Sequence, residues 1–100
     1  MLDIKTVKEG NCCIVSLNGR LEADMAAKAE EKFLEAAASA DEVILDCKEL
    51  EYTASAGLRT LRRLQQEMKK KKGSLKLRNV KPMVADVLVL TGFAKILTLE

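Results

Sequence analysis

One hundred residues, 48% hydrophobic and 32% charged, suit one small domain with a closed core and are too apolar for a disordered chain. Seventeen basic residues against fifteen acidic ones leave a net charge of +2, too balanced to imply nucleic acid from charge alone. Histidine is absent, so the usual general base at neutral pH is missing, and serine or cysteine hydrolase chemistry of the common kind is not expected.

The three cysteines, Cys12, Cys13 and Cys47, have no metal-like spacing and read as buried free thiols. Neither a metal nor a cofactor is expected. No apolar run reaches the roughly 18–20 residues of a membrane span. Met1-Leu2-Asp3-Ile4-Lys5 lacks a signal-peptide layout, so the cytoplasm is the expected location and membrane insertion is not expected.

In chain order, residues 2–8 alternate well enough for a first strand. Gly10-Asn11 supplies a tight turn, and residues 12–17 follow as a second strand, apolar on both faces and paired antiparallel to the first. Asn18-Gly19-Arg20-Leu21 is expected to close that strand as a turn. Asp24 is positioned to cap a helix over 24–38, whose stripe is Ala26, Ala29, Phe33 and Ala37. Glu31 and Glu35 fall on its wet side. After the link Ser39-Ala40-Asp41, residues 42–46 read as a buried strand with a parallel partner, and Cys47-Lys48-Glu49-Leu50 as the lead into a loop that Leu50 and Tyr52 pin by packing inward.

Glu51 through Arg59 then carries a serine, Ser55, to the point where loop becomes helix. One reading makes Ser55 an N-cap; the other makes it a hydroxyl displayed to a partner, and local physics does not separate them. The helix over 55–72 buries Leu58, Leu61, Leu64 and Met68, with Arg59, Arg62, Arg63, Gln66 and Lys70 off that stripe. Lys69 to Lys72 suit the negative end of the helix dipole as a solvated terminus, and Gly73 is expected as the left-handed cap. Residues 74–78 alternate as a strand. Pro82 opens a third helix with Val84, Val87, Leu88 and Thr91 inward, Gly92 ends it with Phe93 as its apolar contact, and residues 96–99 form a last short strand. The order β-β-α-β-α-β-α-β argues for an α/β fold: a mostly parallel, mixed sheet with helices packed on it.

With that pattern laid out, the sequence resembles a STAS domain of the anti-sigma factor antagonist type, from about residue 2 to 100. The resemblance rests on Asn18-Gly19-Arg20-Leu21, on Val43-Ile44-Leu45-Asp46, on Tyr52-Thr53-Ala54-Ser55-Ala56-Gly57-Leu58-Arg59, and on Gly73 to Leu77 together with Leu90-Thr91-Gly92-Phe93-Ala94-Lys95-Ile96-Leu97. It implies a STAS-like fold, a single domain over 1–100 and no enzymatic activity. It also implies a partner switch: the chain binds an anti-sigma factor, often a serine kinase, and releases a sigma factor. Phosphorylation of Ser55 weakens that complex, and a phosphatase resets it. The implied partner-binding residues are Asn18, Gly19, Arg20, Thr53, Ala54, Ser55, Ala56, Gly57, Leu58, Arg59 and Arg62. Ala54 departs from the Asp or Ser that many members carry before the serine. The small residues Ala54, Ala56 and Gly57 let a partner approach closely. Arg59 and Arg62 can pair with a partner's carboxylates, and a solvated face explains them equally. An alternative within the same resemblance is the regulatory STAS subunit of a lipid-transport ATPase. A small enzyme or nucleotide binder is a third reading, against which stands the lack of a phosphate loop of the usual spacing. Oligomeric state is not legible.

Overall fold

The computed structural model describes residues 1–99; Glu100, the last residue of the expected domain, lies outside the described residues. The elements are β1 (Leu2–Glu9), β2 (Cys12–Leu21), α1 (Ala23–Ser39), β3 (Glu42–Thr53), α2 (Ser55–Lys70), β4 (Ser74–Arg78), α3 (Pro82–Leu90) and β5 (Thr98–Leu99), with a 3₁₀ turn at Phe93–Lys95. The five strands form one sheet in the order β1-β2-β3-β4-β5. Among the described residues only β1 is antiparallel to its neighbour; β2, β3, β4 and β5 run parallel, and β3, β4 and β5 are each reached through a helical crossover. This is the expected mixed α/β architecture.

Strand parity creates the core. Cys13, Val43 and Leu75 stand abreast on one face, as do Val15, Leu45 and Leu77, and all six are buried. Residues of the opposite parity, such as Ile14, Ile44, Ser16 and Asp46, are only half-buried. α1 contributes Ala29, Phe33, Ala36 and Ala37 to the core. Its alanines permit close packing, and Phe33, wholly buried, is its anchor. α2 contributes Leu58, Leu61, Leu64 and Met68, the expected stripe, while α3 adds Val84 and Leu88.

Several local expectations are corrected. Asn18-Gly19-Arg20-Leu21 is strand, not turn. β2 continues through it because Leu2 pairs with Gly19, and because the Arg20 N–H donates to the Met1 carbonyl at 3.0 Å. The glycine marks irregular pairing instead: register against β3 shifts on both sides of it, Gly19 has φ +118°, and a Cβ there would collide with the Met1 carbonyl oxygen. Cys47-Lys48-Glu49-Leu50 likewise belongs to β3, held by pairing with that prolonged β2. Leu50 does pack inward, but Tyr52 is half-buried, and Thr53 is the buried residue beside it.

Asp24 is not the cap of α1. The cap position is Glu22, without a side-chain bond, and Asp24 lies in the first turn. α2 stops at Lys70, and the left-handed residue after it is Lys72 (φ 60°), not Gly73. The Gly73 N–H closes back on the Met68 carbonyl at 2.8 Å, and the Lys72 N–H on Lys69 at 3.1 Å, the Schellman pattern. Gly73 is required for a different reason, since a Cβ would strike the Asp41 carbonyl oxygen. The lysine run is not merely solvated: Lys71 Nζ donates to the Ala37 and Ala40 carbonyls at 2.6 and 2.8 Å, capping the C-terminus of α1. Thr91 is exposed, donating to the Val87 carbonyl at 2.7 Å. Of the last strand only Thr98–Leu99 forms, because the 3₁₀ turn uses up the chain before it.

Candidate functional site

The β3–α2 junction lies at the carboxyl ends of the parallel strands β2 and β3, where open α/β sheets present their binding crevices. Leu21 and Thr53 are register partners there, and the Ala54 N–H donates to the Leu21 carbonyl at 2.9 Å. Ala54 is extended (φ −91°, ψ 174°) and is the true N-cap of α2; its carbonyl accepts from the Leu58 N–H at 3.0 Å. Ser55 is therefore the first residue inside the helix, and the reading that makes it the N-cap is excluded. A cap side chain must belong to the extended residue, and that residue is an alanine. No side-chain bond caps this helix start. Its orphan N–H groups are left for water or an external acceptor.

Ser55 is exposed, and among the described residues its hydroxyl makes no hydrogen bond. Gly57 beneath it is buried. A Cβ there would meet Thr53 Oγ1, Leu21 Cγ at 2.6 Å and the Leu21 carbonyl oxygen at 2.9 Å. Only glycine lets the first turn of α2 settle this closely on the ends of β2 and β3. Thr53 Oγ1 donates to the Ala54 carbonyl at 3.3 Å, and Thr60 Oγ1 to the Gly57 carbonyl at 2.6 Å, so both buried hydroxyls are satisfied.

The residues singled out in the sequence separate into two layers. Ser55, Arg59, Arg62, Asn18 and Arg20 are exposed, and Ala54, Ala56 and Gly19 are half-buried. Thr53, Gly57 and Leu58 are buried and lie under the surface, shaping it. Arg20 reaches the junction by pairing with Tyr52. Its guanidinium lies 4.5 Å from the centre of the Tyr52 ring, and its Nε donates to Glu22 Oε1 at 2.8 Å. Asn18 is set back along β2, paired with Glu49. Arg59 and Arg62 form no ion pair among the described residues, whereas Arg63, beside them, lies 3.8 Å from both Glu30 and Glu67. Gln66 and Lys69 continue the face of Ser55, Arg59 and Arg62. Their four- and three-residue spacings, legible in the sequence, put them on the same side of the helix.

The groups whose titration is displaced lie away from Ser55. Burial, helped by the neighbouring Asp46 charge, pushes the Cys47 thiol up to about 12, so at neutral pH it is no nucleophile. Burial acts to raise Asp46, but the Lys48 N–H, the Asn79 amide and Arg78 outweigh it and hold the carboxyl below its ordinary value. Burial and then Glu42 raise Cys12. Among the described residues no cluster of His, Cys, Asp or Glu could hold a metal, and no helix is long and apolar enough to cross a membrane.

The profile of the STAS domain family matches residues 3–100. BtrV of Bordetella bronchiseptica, which bears the name "putative anti-sigma factor antagonist", is 36% identical over 74 residues; the match covers 70% of this chain and 64% of that protein's length. An anti-sigma factor antagonist from Mycobacterium paratuberculosis superposes with a TM-score of 0.88 at 21% identity, over 99% of this chain and 85% of that one. The Bacillus cell fate determinant SpoIIAA, in its phosphorylated form, gives 0.74 at 17% identity, over 100% of this chain and 91% of that one. With the family profile matching residues 3–100, nearly its whole length, the chain belongs to the STAS domain family.

Proposed function

We propose that the chain is a non-enzymatic cytoplasmic switch that binds an anti-sigma factor through the Ser55 face, and that phosphorylation of Ser55 by a serine kinase turns it off until a phosphatase resets it. The observation that carries this reading is the free, exposed Ser55 hydroxyl at the uncapped start of α2. A phosphoserine adds about −1.5 to −2 charges. The unengaged N–H groups and the positive end of the helix accommodate that charge, so the fold survives it. Ala54 and Ala56 keep the rim low, so a docked partner would close directly over the dianion. A charge left buried and poorly paired at an interface costs on the order of 2–5 kcal/mol, or ~30- to several-thousand-fold in affinity. That a structural neighbour, SpoIIAA, is known in a phosphorylated form supports the reading.

The test combines the cognate kinase and ATP with the wild type and Ser55→Ala, and measures anti-sigma binding by Ser55→Glu. The expected result is label on the wild type alone, and a Ser55→Glu protein with unchanged circular dichroism that binds at least ~30-fold more weakly. Equal labelling of Ser55→Ala would remove Ser55 from the mechanism.

A further inference from the structure

The two flanks of α2 are electrostatically unlike. Toward α1, Arg63 faces Glu30 and Glu67, Lys70 pairs with Glu67 at 3.0 Å, and Lys71 caps α1. On the other flank an open groove of about 870 Å³ runs between α2 and the segment from Thr91 to Thr98. Arg62 and Lys69 line one wall, Lys95 the other, and Leu75, Phe93 and Ile96 supply apolar surface. Among the described residues no carboxylate lines this groove, and none of these three cations forms an ion pair. Lys76 also borders it but is drawn to Glu42 at 3.4 Å. Ile96 is 44% exposed, and Phe93 is only partly buried.

The topology explains the vacancy beside α2. β5 pairs only with Lys76 and Leu77, so the Leu75 end of β4 has no strand beyond it. A trough bounded by one helix and a sheet margin accepts another helix lying alongside. We infer that this groove docks an acidic amphipathic helix of a partner protein, its apolar side chains against Phe93 and Ile96 and its carboxylates on Arg62, Lys69 and Lys95. A concave apolar strip between cations matches such a helix better than a flat anionic surface, which reaches the cations without covering Phe93. The site is distinct from the Ser55 hydroxyl and does not depend on its phosphorylation. Arg62 belongs to both surfaces, so one partner can span them.

The probe is a synthetic amphipathic peptide with leucines on one face and glutamates on the others, titrated into the full chain and followed by backbone amide NMR. The expected result is saturable shifts at Lys69, Phe93, Ile96 and Thr98, with the peptide gaining helix. Binding weakens on the order of tenfold in the Lys69→Glu/Lys95→Glu variant, and again in Ile96→Glu, while Ser55→Glu changes it less than about twofold. All these positions are exposed, so circular dichroism of the variants stays native. A scrambled peptide of the same composition binding equally well would overturn the inference. So would shifts confined to Lys70–Lys72, or phosphatidylglycerol vesicles or RNA binding in place of the peptide with the same cations required.

Discussion

Replacing Gly57 by alanine separates helix propensity from packing at the candidate site. At an exposed interior position of a helix the change stabilises by about 1 kcal/mol. At Gly57 the added methyl comes 2.6 Å from Leu21 Cγ, 2.9 Å from the Leu21 carbonyl oxygen, and closer still to Thr53 Oγ1. Carbon contacts settle near 3.5–4.0 Å, so every one of these is repulsive. None of the three is the loose end of a flexible chain. Leu21 and Thr53 are buried, and the Leu21 carbonyl is fixed by the Ala54 N–H at 2.9 Å. Overpacking of this kind costs about 1–3 kcal/mol, and more where backbone must move. Because one clash is with the Leu21 backbone, the cost falls at about 2–3 kcal/mol, and subtracting the propensity gain of about 1 kcal/mol leaves a net loss of about 1–2 kcal/mol. For a domain of this length that lowers Tm by roughly 5–15 °C. With no tryptophan and a single tyrosine, the measurement is a far-ultraviolet circular dichroism melt. A Gly57→Ala protein that melts at or above the wild-type temperature refutes the claim that α2 is seated by contact with Leu21 and Thr53.

Ser55→Ala changes stability by no more than about 0.5 kcal/mol because Ser55 is not the cap, whereas Ala54→Ser supplies one and stabilises by about 1 kcal/mol; urea unfolding of the two variants checks both. Lys71→Met removes two donated bonds from the end of α1, which has no basic residue in its own last turn, and costs about 1 kcal/mol in the same assay. Lys70→Met, which loses only an exposed pair with Glu67, stays within about 0.5 kcal/mol. Cys47 sets an alkaline limit. An unfolded thiol deprotonates near 8.5–9 while the folded one resists to about 12, so the unfolded chain binds fewer protons in that window and stability falls as pH rises through it. Cys47→Ala flattens that fall, and an unchanged alkaline slope would show the thiol to be uninvolved. Asp46 acts in the opposite sense. Its folded value is depressed, so its contribution is full above the unfolded carboxyl pKa and is lost as pH drops through the folded one; Asp46→Asn reduces the acid dependence of the melting temperature.

The sequence made the architecture readable where one period dominated. Leu58, Leu61, Leu64 and Met68 mark α2 by spacing alone, and the odd-numbered residues from Cys13 to Leu17 mark the inward face of β2. It misled where glycine or a polar residue had two meanings. Gly19 signals a turn as well as it signals a bulge, and only the neighbouring chain at Met1 decides between them. Lys72 takes the left-handed conformation beside a glycine that local preference favours for it, and that glycine is needed instead because a Cβ there would strike the Asp41 carbonyl oxygen. Asp24 looks like a cap, but the helix begins before it. At the β3–α2 junction the sequence placed Ser55 at the start of the helix, but not its position one residue inside it. The groove beyond α2 was also hidden, because Lys69 and Lys95 meet only through the final crossover.

That single-residue displacement of Ser55 connects local structure to the proposed switch. A serine at the cap position would spend its oxygen on the helix's own N–H groups, and a kinase would have to break that bond to reach it. At the first helical position the oxygen is spare. Ala54, occupying the cap position, also leaves those N–H groups without a side-chain acceptor. The missing cap costs roughly 1 kcal/mol, and the close seating of Gly57 on Leu21 and Thr53 holds the helix start in place without it. The same alanine that weakens the helix locally therefore keeps both the Ser55 hydroxyl and the N–H groups at the start of α2 open. On the proposed reading, the place where capping preference fails is the place where phosphate is received.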